Sequence, residues 1–334
     1  MIPLSQAQWQ TETWQEQLSG AFRRVEDLLT ELALPPNEAP YELDFSPGFA
    51  LRVPQAFVSL MQKGDWYDPL LLQVLPLAQE NIASPGYSND PLEESHSNPV
   101  PGIIHKYHGR VLLVASPACA VNCRYCFRRH FPYGDNQLSR SQWQQALDYV
   151  RERADISEVI LSGGDPLVSS DDRIEELVLT ISEIPTVERL RIHTRFPVVL
   201  PDRISDKLVA SLTSTRLQTV FVLHCNHPNE VGAALSERLQ LLRQAGVTLL
   251  NQSVLLHGIN DDAKTLCKLS EKLFNAGVLP YYLHVLDRVQ GAAHFALSDT
   301  GAQALHKQMM EALPGYLVPK LVREDPRVAH KCPL

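Results

Sequence analysis

Three cysteines stand close together in the run Cys119-Ala-Val-Asn-Cys123-Arg-Tyr-Cys126, with three residues in the first gap and two in the second. Thiolates are soft ligands, and this spacing gathers three of them in one short loop. A closed iron–sulfur cluster takes four thiolates, and structural zinc takes four ligands. Three is one short. The loop therefore suits a [4Fe–4S] cluster that leaves one iron open to a ligand that is not protein. A competing reading completes a zinc site with His105, His108 or His130. Cys225, Cys267 and Cys332 are scattered and read as ordinary small side chains. A disulfide inside the loop would close a very small ring, and no signal peptide opens the chain, so a reduced set of thiols in the cytoplasm is expected.

Other reactive groups recur at intervals after the loop. Gly163-Gly164-Asp165-Pro166 puts a carboxylate beside two residues without a Cβ, where backbone can approach a ligand and an acid can accept from an ammonium. Further on come His193-Thr-Arg195, His224-Cys-Asn-His227, Asn251-Gln252-Ser253 and Asp287-Arg288. Read alone, Gly-Gly-Asp-Pro is equally a tight turn, and a lone buried His is often a satisfied core residue.

The elements that must position these groups follow from periodicity. Short apolar runs at 111–115, 158–162, 189–193, 219–224, 247–253 and 281–286 predict six strands. Amphipathic stretches near 139–153, 172–183, 203–213, 233–245 and 262–276 predict helices between them. Such alternation implies a parallel sheet with right-handed crossovers, here a (β/α)6 barrel of the α/β class, closed or partial. Nearly every polar group named above falls at the C-terminal end of a predicted strand, the face where parallel barrels carry their active sites. Before the barrel, helical patterns span 9–34 and 54–63, and 84–101 reads as a connecting loop. The expected division is an N-terminal helical extension over 1–95, a core barrel over 96–290 and a C-terminal segment over 291–334.

Composition narrows the function class. Of 334 residues, 44% are hydrophobic and 20% charged, and the formal net charge is −8. No basic stripe is present, which argues against nucleic acid as a partner. No apolar run reaches the length of a membrane span.

Several of these stretches together resemble one family in order and spacing. His105-Lys-Tyr-His-Gly-Arg110, the cysteine run continued by Phe127-Arg-Arg129, Leu161-Ser-Gly-Gly-Asp-Pro-Leu167, Pro197-Val-Val-Leu-Pro201, His224-Cys-Asn-His-Pro228, Asn251-Gln-Ser-Val-Leu-Leu256 and His294-Phe295 are similar to the lysine 2,3-aminomutases, a family of radical S-adenosylmethionine enzymes. The likeness runs from about residue 65 to the C-terminus. It implies a [4Fe–4S] cluster whose open iron is chelated by S-adenosylmethionine, and pyridoxal 5′-phosphate as a further cofactor. Members move an amino group from Cα to Cβ of an amino acid by radical chemistry.

Residue by residue, the resemblance makes Cys119, Cys123 and Cys126 the cluster ligands. Gly163, Gly164, Asp165, His224 and Gln252 match positions around S-adenosylmethionine. Lys106, Tyr107 and Arg110 match positions that hold pyridoxal phosphate, and Lys331 matches the lysine that forms the Schiff base with it. The Gly-rich run that precedes that lysine in the family is replaced here by Asp325-Pro-Arg-Val-Ala-His330. Arg128 matches the arginine that pairs with the substrate carboxylate, and Asp287 and Glu324 match two acids that meet the far ammonium of lysine. Glu324 is one methylene longer than its family counterpart, a change that bears on product handedness.

Asp262 stands where the lysine-fermentation enzymes place a zinc-binding cysteine, and their Cys-rich extension is missing. The chain thus resembles the compact branch that supplies β-lysine, expected as the R enantiomer, for modification of elongation factor P by a separate lysyl ligase. The implied partners are L-lysine as small-molecule substrate, a flavodoxin- or ferredoxin-like reductant and a second copy of the chain. The alternatives are a radical aminomutase for another amino acid and a non-catalytic iron–sulfur or zinc protein.

Overall fold

The computed structural model describes residues 13–133 and 140–334; the first residues of the helical stretches expected from 9 and from 139 lie outside them. Among the described residues, nine strands form one sheet in sequence order. They are β1 (Ile103–Tyr107), β2 (Arg110–Ser116), β3 (Glu158–Gly163), β4 (Arg189–Thr194), β5 (Gln218–Leu223), β6 (Thr248–Leu255), β7 (Leu279–Val285), β8 (Lys320–Arg323) and β9 (Cys332–Pro333). Strands β2 to β8 pair in parallel. The edge strands β1 and β9 run antiparallel to their neighbours. Sheet neighbours are sequence neighbours throughout, so the chain winds in one direction and builds an open, partial barrel.

The helices are α1 (Trp14–Ser19), α2 (Val25–Glu31), α3 (Gln55–Val58), α4 (Arg140–Arg151), α5 (Asp171–Ser182), α6 (Phe196–Val199), α7 (Asp206–Thr213), α8 (Ala233–Gln244), α9 (Ala263–Asn275) and α10 (Asp299–Ala312). From α4 onward each parallel crossover carries one or two of them. The six predicted strands are β2 to β7. The structure adds a seventh parallel strand, β8, and the two antiparallel edges. β1 and β2 form a hairpin closed at Tyr107 and Arg110. Gly109, with a φ of +74°, supplies the left-handed residue this tight turn requires.

Strand side chains alternate between two environments. Val159 and Leu161, Leu190 and Ile192, and Leu283 and Val285 are buried on the helix-covered face. Their neighbours in register point the other way: Leu112, Ile160 and Arg191 sit opposite one another across β2, β3 and β4. Gln252 pairs with Tyr282, and Val254 with His284, across β6 and β7. All of these line a single cavity. A strand period of two thus sends one set of apolar residues outward to the helices and the alternate set, polar and apolar together, inward to the cavity.

The N-terminal part packs onto this barrel. Thr13 and Glu16 cap α1 reciprocally. The expected long helix breaks because Phe22 leaves it to pair its backbone with Val53, at 2.8 and 3.0 Å. Likewise only four residues of the 54–63 stretch are helical. Leu28, Leu29, Phe57, Leu70 and Leu71 join Ile103, Val111 and Val159 in one hydrophobic cluster. Fully burying a side chain of this size stabilises by roughly 2 kcal/mol, so the extension is held firmly over the sheet. Among the described residues, no helix is long and apolar enough to cross a membrane.

Candidate active site

A cavity of about 730 Å³ opens at the C-terminal ends of the parallel strands. It reaches from the cysteine loop after β2 to the chain's last residues. Cys119, Cys123, Cys126, Lys106, Tyr107, Arg110, Arg128, Gly163, Gly164, Asp165, His224, Gln252, Asp287, Glu324 and Lys331 all line it. Every expected site residue is therefore brought to one place. A volume of this order accommodates more than one small molecule.

The cysteine loop leaves β2 at Ser116 and is locked by the end of β3. Gly164 donates its N–H to Ser116 O at 2.8 Å, and Asp165 N–H reaches Ala118 O at 2.8 Å. A Cβ on Gly164 would stand 2.4 Å from Ala118 O, and Gly163 has a φ of +111°. The two glycines are thus demanded by this backbone-to-backbone contact. Asp165 is engaged in the same turn. Its carboxylate accepts from Thr194 Oγ1 at 2.7 and 2.9 Å and from the N–H groups of Leu167, Arg195 and Phe196 at 2.8–3.1 Å. Burial raises its pKa, those donors offset the rise only in part, and they tie the β3 and β4 ends together.

The three thiols are unpaired. Burial pushes Cys119, Cys123 and Cys126 up, Cys126 to about 11, and neighbouring thiolates push Cys119 and Cys126 further. Thiolates held this close need a cationic metal centre among them, and three soft sulfur donors fit an iron–sulfur cluster. Among the described residues no three His, Cys, Asp or Glu side chains converge on one ion. A cluster takes one thiolate per iron and needs no such convergence.

At the other end, β8 and β9 carry the tail. Arg323 pairs with Cys332 and Val322 with Pro333, so the last residues fold back along β8. This hairpin brings Lys331 to the mouth without a Gly-rich run. Its Nζ lies 2.5 Å from Glu324 Oε2 and 5.5 Å from the Tyr282 ring. Lys106 Nζ is 3.4 Å from Glu324 Oε1 and donates to Asp325 O at 3.0 Å. Tyr107 OH donates to the same Glu324 oxygen. Glu324, expected to face the substrate's ammonium, holds two lysines and a phenol here. The guanidinium of Arg110 stacks 4.5 Å from the Tyr107 ring. Arg191, paired with Glu158 on the inner face of β4, adds another cation. Two lysines, two arginines and phenols around one pocket suit a phosphate and an aldehyde, so these residues fit pyridoxal phosphate.

Arg128 and Asp287 lie between the two ends. Arg128 is buried and bidentate with Glu94: Nε to Oε2 at 2.8 Å and Nη2 to Oε1 at 2.6 Å. Glu94 sits in the connecting segment, which sequence reasoning passed over as a loop. Asp287 follows β7, surrounded by protein yet reachable from the cavity. Burial raises it to about 6, against the pull of Lys331, Lys106 and Arg128 and with a push from Glu94. His224 is driven down to about 3 by burial and then by Arg195 and Arg128, so its imidazole is neutral. The Gln252 amide is 2.8 Å from His224 Nε2 and can only donate there, which fixes the imidazole proton on Nδ1.

A buried network beneath the cysteines was also missed. Arg195 donates to Gln73 Oε1 at 2.8 Å and Glu230 Oε1 at 2.7 Å, and touches Tyr125 OH. Asn226 bridges Gln73 at 3.0 Å and Tyr125 at 2.6 Å. It fixes the aromatic residue before Cys126. Asp262 caps α9, accepting from Thr265 N–H at 2.9 Å.

The model of the radical SAM superfamily matches residues 113–269. The L-lysine 2,3-aminomutase of Haemophilus influenzae is 50% identical over 313 residues, covering 94% of this chain and 93% of its own. That of Escherichia coli K12 is 49% identical, over 97% and 94%. This chain belongs to the lysine 2,3-aminomutase family. A more distant aminomutase, from Clostridium subterminale, is 34% identical over 99% of this chain and 79% of its own length. As an aminomutase of the radical SAM superfamily the protein is an isomerase, and the superfamily implies a [4Fe–4S] cluster with S-adenosylmethionine at the cysteine end of the cavity.

Proposed function

We propose that the protein is a pyridoxal phosphate-dependent L-lysine 2,3-aminomutase that makes (R)-β-lysine for modification of elongation factor P. One observation carries the reading: a single cavity joins the Cys119–Cys123–Cys126 loop to Lys331. S-adenosylmethionine on the cluster supplies one-electron chemistry, and pyridoxal phosphate carries the migrating amino group. Cys119, Cys123 and Cys126 would hold the cluster. Lys331 would anchor the aldehyde, with Lys106, Tyr107, Arg110 and Arg191 around the phosphate. Gly163, Gly164, His224 and Gln252 would flank S-adenosylmethionine.

The remaining residues orient lysine. Arg128 takes its carboxylate as a charge-assisted pair. Asp287, across the cavity, meets the far ammonium, and an amino acid lacking that cation would leave a buried acid unpaired. Both termini are then fixed, which holds Cβ in one place relative to the cluster end. Glu324 keeps Lys331 and Lys106 at hand and orders the pocket's cations. The assignment to elongation factor P rests on the likeness to the compact branch, with Asp262 serving as a helix cap. A flavodoxin- or ferredoxin-like protein is the proposed reductant, and a homodimer the proposed assembly.

The test is anaerobic incubation of reconstituted protein with L-lysine, S-adenosylmethionine and dithionite, followed by chiral amino-acid analysis. (R)-β-lysine is expected, and its formation should require added pyridoxal phosphate. Turnover of alanine or glutamate in preference to lysine would refute the substrate assignment.

A further inference from the structure

Arg128 has five N–H donors in a planar fork with two usable edges. Glu94 occupies the edge formed by Nε and Nη2, at 2.8 and 2.6 Å. On the far side, Nη1 reaches Ser162 Oγ at 3.2 Å and Gly163 O at 3.3 Å. The guanidinium is thereby clamped at both flanks. Nη2 donates to Glu94 alone among the described residues, so its second N–H, on the edge toward Nη1, is left for a carboxylate oxygen of a ligand in a charge-assisted bond.

Glu94 is itself held by structure around it. Asp90 Oδ1 accepts from Glu94 N–H at 3.0 Å, and Asp90 Oδ2 accepts from Ser95 N–H at 3.3 Å and Ser95 Oγ at 3.0 Å. The same segment is clipped to the chain just past Asp287. Ser88 N–H reaches Arg288 O at 2.9 Å, and Gln290 N–H reaches Ser88 O at 3.0 Å. The Gln290 side chain adds bonds to Ser84 O at 3.2 Å and Tyr87 O at 2.9 Å. One stitched unit thus carries Glu94, which grips Arg128, and borders Asp287.

We propose that Glu94 is a positioning residue for substrate recognition: it fixes Arg128 side-on so that the Nη1–Nη2 edge faces the substrate's carboxylate. This rests on the reading of Arg128 as the carboxylate's partner. Without Glu94 the guanidinium turns to other acceptors and its orientation toward the cavity is lost. The buried arginine then no longer tells a carboxylate from a neutral group of the same shape.

The experiment compares L-lysine with L-lysinamide in anaerobically reconstituted enzyme. Equilibrium binding is measured without reductant, and KM and kcat with it. For Glu94→Gln, lysine binding should weaken about tenfold, with the loss in KM rather than kcat. The preference for lysine over lysinamide should fall by a similar factor, which general destabilisation would not produce. Arg128→Met is the companion variant. If it binds lysine like the wild type, the reading of Arg128 fails and the role of Glu94 with it. If Arg128→Met loses lysine while Glu94→Gln keeps the wild-type preference, the positioning role alone is overturned. Should Glu94→Gln not load iron, Glu94→Asp is measured instead. Its shorter carboxylate should give an intermediate preference, and a wild-type value overturns the proposal.

Discussion

Replacing Asp287 by Asn should make the protein more stable and a worse enzyme at once. Burial raises this acid from its ordinary 3.8 to about 6. The charged groups that face it are Lys331, Lys106 and Arg128, which favour ionisation, and Glu94, which opposes it. Between about pH 4 and about pH 6 the folded protein keeps a proton that the unfolded chain has released. Stability therefore falls as pH rises through that window, and the loss is complete above it. A shift of about two units corresponds to about 3 kcal/mol. Asn has the same shape and no charge to bury, so it should recover most of that sum at neutral pH. Unfolding entropy near 2.1 cal/mol/K per residue makes this about 4 °C in melting temperature for a chain of this length. Differential scanning fluorimetry of both proteins without lysine, at about pH 7.5 and about pH 3.5, on either side of the window, reads it directly. The gain should be present at the higher pH and gone at the lower. Lysine KM should rise at least tenfold in the same variant, since a charge-assisted contact is worth about 1.5–3 kcal/mol. Equal melting temperatures at neutral pH, or a gain that persists in acid, would refute the argument.

Other outcomes follow from particular contacts. Gly164→Ala drives a Cβ into Ala118 backbone, where O, C and N would lie at 2.4–2.9 Å; a loss of about 3 kcal/mol or more is expected, together with reduced iron content, by denaturant titration and iron analysis. Glu80 binds both Arg124, at 2.6–3.1 Å, and Arg129, at 2.7 Å, with all three buried. Glu80→Gln leaves two cations short of a partner and should cost about 3–5 kcal/mol. Lys331→Ala should abolish the borohydride-stable attachment of pyridoxal phosphate, read by peptide mass spectrometry, while iron content stays at the wild-type level.

The barrel strands β2 to β7 were legible because short runs rich in apolar residues, some continuous and some alternating, recur between amphipathic helical stretches. β8 and β9 were not. β8 has four residues and β9 two, and they pair only after α10 has carried the chain back to the sheet. The position of Lys331 came from resemblance, since nothing local marks a lysine near the terminus as buried. Glu94 was hidden for a related reason: a polar turn reads as solvent-facing until the arginine it reaches is in place. Arg191 did leave a signal. In Arg189-Leu-Arg-Ile-His-Thr194 the apolar residues alternate with polar ones, yet helices cover one face of the sheet. Polar residues at that period must then line an interior cavity rather than the surface. Asp165 has a structural part that the motif did not announce: its carboxylate accepts from the Thr194 hydroxyl and from the N–H groups of Leu167, Arg195 and Phe196.

The most direct test of the whole account is anomalous diffraction at the iron edge from anaerobic crystals grown with S-adenosylmethionine, pyridoxal phosphate and lysine. Four irons should sit on Cys119, Cys123 and Cys126 with one iron free of protein, and density should run unbroken from Lys331 or from bound lysine into the cofactor. A single zinc on those sulfurs, or Lys331 turned to solvent with the cofactor elsewhere, would contradict it.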